Sequence, residues 1–272
     1  MISVCAGLVT MDEQTHVIRL VHHTTQEYFE RTCQTWFSNA HHNIAQTCLT
    51  YLGYDFFESG TCVSYDDLKL RLQAYPLYSY SSINLGYHVR HQPVDTEFFL
   101  ESLTSNNKVS ACSQVLLSAR AIGWSQRLSK DVSLVHLVAW PGLEDILHDL
   151  IEIGIPCNSE DSNKRTPLFW AATNGQEGMA RKLLEAGADP DNEDLEAHTP
   201  LFWAAENGQD AIIRLLLQYN ANPDNKGNSG STSLWRAARF GRVTTMKPLL
   251  EAGDNPEHKA TPSASLLCPW HV

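Results

Sequence analysis

The C-terminal half of this chain repeats itself every 33 residues, and a fixed period of that length confines it to stacked, quasi-one-dimensional architectures. Thr166-Pro167-Leu168-Phe169-Trp170-Ala171-Ala172 recurs as Thr199-Pro200-Leu201-Phe202-Trp203-Ala204-Ala205 and again as Thr232-Ser233-Leu234-Trp235-Arg236-Ala237-Ala238. One step earlier stands Ser133-Leu134-Val135-His136-Leu137-Val138-Ala139. The register also aligns Gly142, Gly175, Gly208 and Gly241, then Gly154, Gly187, Asn220 and Gly253.

Each aligned position has a physical task, and together they describe two short antiparallel helices followed by an extended loop. The Thr-Pro step starts the first helix, with the hydroxyl as N-cap and proline where a missing N–H costs nothing. The paired alanines let neighbouring units approach closely, and the first glycine permits a tight interhelical turn. Leu183-Leu184, Leu216-Leu217 and Leu249-Leu250 supply the apolar face of the second helix, with Leu184, Leu217 and Leu250 expected in equivalent buried sites. Glycine or asparagine then accepts the left-handed C′ conformation, and Pro190, Pro223 and Pro256 prevent the helix from continuing. Ordering 33 residues at roughly 1.5 kcal/mol each costs about 50 kcal/mol, which one helix pair cannot offset, so the units must stack. Pro248 lies inside the last second helix, where an interior proline costs about 3 kcal/mol, so this unit is expected to fray.

These segments resemble the ankyrin repeat, whose T-P-L-H-x-A-A and L-L-x-x-G-A-x-x-N patterns match over roughly Ser133 to Pro256. Phe169, Phe202 and Trp235 stand where that family usually has histidine, leaving only His136 in its place and shifting the expected stabilisation from hydrogen bonds to aromatic packing. Units are expected at 133–165, 166–198, 199–231 and, partially, 232–256, with the tail 257–272 a stub of a fifth unit at Ser265-Leu266-Leu267-Cys268.

Before Ser133 the period is absent. Leu8–Met11 and His16–Val21 flank a polar turn and read as a β-hairpin within residues 1–23. Residues 24–132 read as a helical adaptor. Its apolar stripes are Tyr28, Phe29, Cys33, Trp36 and Phe37, then Ile44, Cys48, Leu49 and Leu52, with further helices over Tyr65–Ala74, Leu77–Arg90, Val94–Leu103 and Val109–Ala119. Gly7-Leu8-Val9, His22 to Phe29 and Ala40 to Leu52 resemble the segment between the NACHT ATPase and the ankyrin array of fungal NLR-like (STAND) proteins, in which the hairpin is the wing of a winged-helix domain. No G-x-x-x-x-G-K-[ST] phosphate loop occurs, so the resemblance implies a C-terminal sensing piece, or a short gene product derived from one, rather than the nucleotide switch.

Composition excludes other classes. The net charge is −11, with 11 basic and 19 acidic residues from Ser133 onward, the wrong sign for a broad phosphate-binding surface. Seven scattered cysteines without a C-x-x-C pair read as reduced thiols of a cytoplasmic protein; Met1 to Gly7 lack the basic residues and apolar stretch expected of a signal peptide, and no apolar run of 18 residues occurs. His22-His23 and His88-Val89-Arg90-His91 lack nearby thiolate pairs for zinc, so no metal or cofactor is expected. Gly227-Asn228-Ser229-Gly230-Ser231 misses the G-x-S-x-G spacing and reads as turn chemistry. Asp189, Asp191, Glu193, Asp194 and Glu196 lack calcium-loop spacing and read as a solvated acidic loop. Tyr75, Tyr78, Tyr80 and Tyr87 lack a basic track and read as core, and Trp170 and Trp203 as packing between units.

The sequence thus predicts a mostly α chain, a helical adaptor with a small N-terminal β-hairpin followed by an ankyrin-repeat α-solenoid, acting as a non-enzymatic protein-binding scaffold. By the resemblance, contact positions fall on the loops at Ser162, Asn163 and Arg165, at Leu195, Glu196 and His198, and at Asn228, Ser229 and Ser231. On the first helices they fall at Thr173 and Asn174, Glu206 and Asn207, and Arg239 and Phe240. The acidic stretch from Glu193 to Glu206 favours a basic protein partner over nucleic acid or membrane. The rival readings are a hydrolase using His22 or His23 with a serine, and a nonfunctional truncated product.

Overall fold

The computed structural model describes residues 9–11, 18–20, 38–118 and 130–253. Strands β1 (Val9–Met11) and β2 (Ile18–Leu20) pair antiparallel, with Thr10 opposite Arg19. The stripe from Tyr28 to Phe37, and His22 and His23, lie outside the described residues.

Among the described residues, five α-helices precede the repeats: α1 (Ala40–Leu52), α2 (Tyr65–Ala74), α3 (Pro76–His91), α4 (Thr96–Ser102) and α5 (Asn106–Ser118). Helix α1 buries Cys48, Leu49 and Leu52 and packs chiefly on α3. Helix α2 starts at a capping box, Ser64 and Asp67 satisfying each other's backbone N–H, and α3 starts with Pro76 in its first turn. Two buried polar groups fix this bundle. The Tyr78 hydroxyl donates to the Ala111 carbonyl at 2.6 Å, and the Gln114 amide satisfies both the N–H and the carbonyl of Cys62 at 2.8 and 2.9 Å.

The repeats contribute four helix pairs: α6 (Leu134–Ala139) with α7 (Glu144–Glu152), α8 (Pro167–Asn174) with α9 (Glu177–Glu185), α10 (Pro200–Asn207) with α11 (Asp210–Gln218), and α12 (Ser233–Arg239) with α13 (Val243–Glu251). Each pair packs on the next, first helix on first and second on second, and one hydrophobic core runs from Ala45 to Leu249. How each first helix starts depends on the residue at its first position. Pro167 and Pro200 preset φ, and the Thr166 and Thr199 hydroxyls make no cap bond, contrary to the expected hydroxyl cap. Where proline is missing, the polar cap returns: Thr232 Oγ1 accepts the Trp235 N–H, and His136 Nδ1 accepts the Ser133 N–H at 3.2 Å. Asn220 stops α11 at φ 62°, and the Ala221 N–H then reaches back to the Leu216 carbonyl at 3.0 Å in a Schellman pattern.

The leucine columns need correction. Leu150, Leu183, Leu216 and Leu249 are the equivalent, fully buried positions, whereas Leu184 is buried, Leu217 half-buried and Leu250 45% exposed. Proline 248 does not fray its unit. Helix α13 continues through it, the side chain is buried, and the backbone acceptor it leaves without a donor belongs to exposed Thr244, open to water.

Candidate functional site

Between the helix pairs, the chain extends into fingers built on a buried aspartate. Asp161 Oδ1 accepts the N–H groups of Asn163 and Arg165 at 2.8 and 3.0 Å, and Asp194 Oδ1 accepts those of Glu196 and His198, each at 2.9 Å. The second carboxylate oxygen takes the indole N–H of the tryptophan nine residues on: Asp161 with Trp170 at 3.3 Å, Asp194 with Trp203 at 3.2 Å. In the third finger glycine replaces the aspartate at 227, and Arg236 replaces the tryptophan. Arg236 turns instead to Glu206 at 2.6 Å and lies over the Phe202 and Phe240 rings. A Cβ at Gly227 would meet the His198 ring at 2.4 Å, so glycine lets the second and third fingers close on each other.

The tips are joined edge to edge. Ser162 N–H donates to the Lys130 carbonyl, Leu195 N–H to Asn163, and Asn228 N–H to Glu196, at 2.9, 3.1 and 2.9 Å. Each tip turns through a left-handed residue, Lys164 at φ 59°, Ala197 at φ 57° and Gly230 at φ 73°. A side chain costs about 1–2 kcal/mol in that conformation, and the added freedom of an unfolded glycine returns about 0.4–1 kcal/mol. Ala197→Gly should therefore stabilise the protein by about 0.5–1 kcal/mol, read as a higher urea midpoint.

The expected contact residues divide by this geometry. Ser162, Leu195, Glu196, Asn207, Asn228, Arg239 and Phe240 are exposed, and Asn174, Glu206 and Ser229 half-buried. Asn163, Arg165, Thr173, His198 and Ser231 are buried, and this corrects their reading as surface contacts. The Arg165 guanidinium lies 5.1 Å from the Phe169 ring centre and 5.6 Å from that of Trp203, with Nε 3.9 Å from Asp194. His198 stacks on Phe202 at 3.9 Å, Thr173 bonds back to the Phe169 carbonyl, and Ser231 Oγ meets Ser229 Oγ at 2.7 Å. Asp194 is not part of a solvated loop: it is buried, and Asp191 is tied to the Asn222 N–H. The sequence carried a signal for this keystone, the aspartate and tryptophan nine apart that are lost together in the third unit.

His136 uses both ring nitrogens: Nε2 donates to the Arg165 carbonyl at 2.8 Å while Nδ1 faces Ser133. Burial lowers its pKa, the Arg165 bond and Asp161 opposing. Trp170 packs on Trp140 and Trp203 on Phe169, at 5.5 and 5.6 Å, each across a unit boundary. His88 is buried between His41 Nδ1 and the Tyr80 hydroxyl, both at 2.8 Å, and His91 bonds the Tyr87 carbonyl. Of the four tyrosines Tyr78 is core and Tyr75 half-buried, whereas Tyr80 and Tyr87 are exposed. Among the described residues no group of three or more His, Cys, Asp or Glu is placed to hold a metal, and no helix is long and apolar enough to cross a membrane.

The family model described as ankyrin repeats matches three overlapping copies in this chain, at residues 103–194, 135–226 and 187–260, more than half its length. No curated protein matches the chain.

Proposed function

The chain belongs to the ankyrin-repeat family, and from that membership we propose a non-enzymatic scaffold that binds a protein partner along its joined finger tips. The carrying observation is the backbone ladder through Lys130, Asn163 and Glu196: it holds the exposed Ser162, Leu195, Glu196 and Asn228 in one strip, while Asp161, Asn163, Arg165, Asp194 and His198 behind it are buried. Such a strip is preformed, so little ordering cost opposes binding. Glu196 is exposed and Glu193 has the Asn225 amide as a partner, whereas Glu206 is neutralised by Arg236. The acidic attraction for a basic partner is thereby centred on the second finger rather than spread to Glu206.

The test is capture of binding proteins from a cell extract by the wild-type chain and by Leu195→Arg with Asn228→Arg. Both positions are exposed, so the variant should keep the wild-type melting temperature and lose the captured proteins. Unchanged capture would count against the strip. For an identified partner, Glu196→Lys should slow association, and rising salt should slow the wild type toward the variant's rate.

We further propose that the chain is the sensing end of a NACHT-type signalling protein, supported by the resemblance at Gly7–Val9, His22–Phe29 and Ala40–Leu52. An in-frame phosphate loop in the nucleotide sequence upstream of Met1 is the expected finding, and a stop codon directly before Met1 in every transcript would contradict it.

A further inference from the structure

Four histidines gather where the start of α1 meets the end of α3, and they differ in which ring nitrogens are already engaged. His42 Nδ1 donates to the Pro93 carbonyl at 3.0 Å, and His91 Nδ1 donates to the Tyr87 carbonyl at 2.8 Å. Each keeps Nε2 as its basic site, so a proton can be added without losing a bond. His41 and His88 instead face each other, Nδ1 to Nδ1 at 2.8 Å. That bridge needs one nitrogen with a hydrogen and one without. The Tyr80 hydroxyl, 2.8 Å from His88 Nε2, donates or accepts as required, so the bridge survives with neither ring charged or with one. With both rings charged, N–H points at N–H and the bridge is lost.

The surroundings oppose a second charge. His88 is buried, and the His91 ring stacks on His41 at 4.8 Å. Burial first, and then the charges on His41 and His91, hold the His88 pKa below the ordinary imidazole value. The last turn of α3 favours a cation at His88, but His41 stands in the first turn of α1, where the helix dipole opposes one and no acidic residue offsets it. On α1 the Cys48 thiol, and on α3 the Tyr80 phenol, are both pushed up by burial and so stay neutral. The Tyr87 ring lies edge-on to His41 and to His88, and Arg90 beside them is exposed. Helix α4, which also packs on α1, brings Asp95, Glu97 and Glu101, all exposed, with Asp95 accepting the Glu97 N–H. Of the other helices on α3, α5 brings Lys108, held by Glu58 at 3.3 Å, and α2 brings Arg71, held by the Gly60 carbonyl. Among the described residues, the histidines in ion pairs with carboxylates are His148 and His198, neither of them in this cluster.

We propose that the His41–His88 bridge is a pH-sensitive latch, which ties the start of α1 to the end of α3 near neutral pH and releases it on acidification. Released rings take up protons as pH falls through the ordinary value of about 6.5, whereas the closed latch admits only one. The latch is therefore fully stable above that value and weakens below it. Its opening is local. The His42 N–H donates to the Gln92 side chain at 2.9 Å, and the Gln92 amide donates to the Ser38 carbonyl, so the segment from Ser38 to His42 is released together. Cys48, Leu49 and Leu52 keep the remainder of α1 buried.

Hydrogen exchange of the full chain at pH 7.5 and pH 5, corrected for the intrinsic pH dependence of exchange, tests this. Carboxylates near their ordinary values of about 4 stay ionised at the lower pH, so histidines dominate the change. Protection of the amides of 40–45 should fall roughly tenfold or more at pH 5. In His41→Gln, whose side chain hydrogen-bonds but does not titrate, it should stay level between the two. No loss in the wild type, or an equal loss in His41→Gln, overturns the proposal. Should His41→Gln disturb the fold, the imidazole resonances of the wild type decide. His41 and His88 should titrate in two steps more than about one pH unit apart, and independent single steps at the ordinary value overturn the latch.

Discussion

Leu216→Ala should destabilise the protein by about 2–5 kcal/mol, measured as the loss in unfolding free energy in urea. Leu216 is fully buried in α11, a second helix with α9 on one side and α13 on the other. No other element can fill the cavity, because a solenoid unit contacts only its neighbours. The same architecture gives the substitution a second signature. A weakened central unit uncouples those on either side, so the transition should broaden, with a lower m-value, as well as shift. Leu217→Ala, half-buried one residue on, should cost clearly less. An unchanged melting curve for Leu216→Ala would mean that the units do not share one core.

The sequence made the period legible because helix starts, hinges and stops are local backbone requirements, each visible in a residue type. Thr199-Pro200, Gly208 and Asn220 state theirs without reference to any neighbour. Which of two adjacent leucines lies in a unit's own core is a different kind of question. Leu216 and Leu217 are 100° apart on the helix, and both fall within its apolar stripe, so periodicity alone does not rank them. Leu217 and Leu250 hold the same repeat position yet are half-buried and 45% exposed, a difference that the repeat register does not record. The finger residues mislead for a related reason. Arg165 and His198 are polar and flank a Thr-Pro step, so they read as surface, yet Phe169, Phe202 and the carboxylate of Asp194 give them interior partners. Pro248 shows the limit of a propensity rule: the orphaned carbonyl costs little when its residue, Thr244, faces water. The Leu195-to-Asn163 and Asn228-to-Glu196 rungs join backbone N–H to backbone carbonyl, so the residue types there do not announce them.

Asp194→Ala should cost about 3–5 kcal/mol, as much as the loss of a large core side chain, because it strips a buried set of donors of their acceptor. Its carboxylate takes two backbone N–H groups and the Trp203 indole, and stands 3.9 Å from Arg165 Nε and 3.6 Å from His198 Nδ1. Asp194→Asn keeps the size and one acceptor oxygen and should cost less than the alanine change. Acidity separates charge from shape. Burial works to raise the Asp194 pKa, but the His198 side chain and the N–H groups of His198 and Glu196 outweigh it and hold the carboxyl below its ordinary value. A depressed folded-state pKa contributes stability that is fully present above the unfolded carboxylate value of about 3.9 and is lost as pH falls through the folded value. The stability gap between wild type and Asp194→Asn should therefore be constant near neutral pH and narrow once the pH drops below about 4. Urea unfolding of both proteins at several pH values measures it. A gap that stays constant into strong acid would show that Asp194 is held by its shape and hydrogen bonds, and that its charge contributes nothing to the finger.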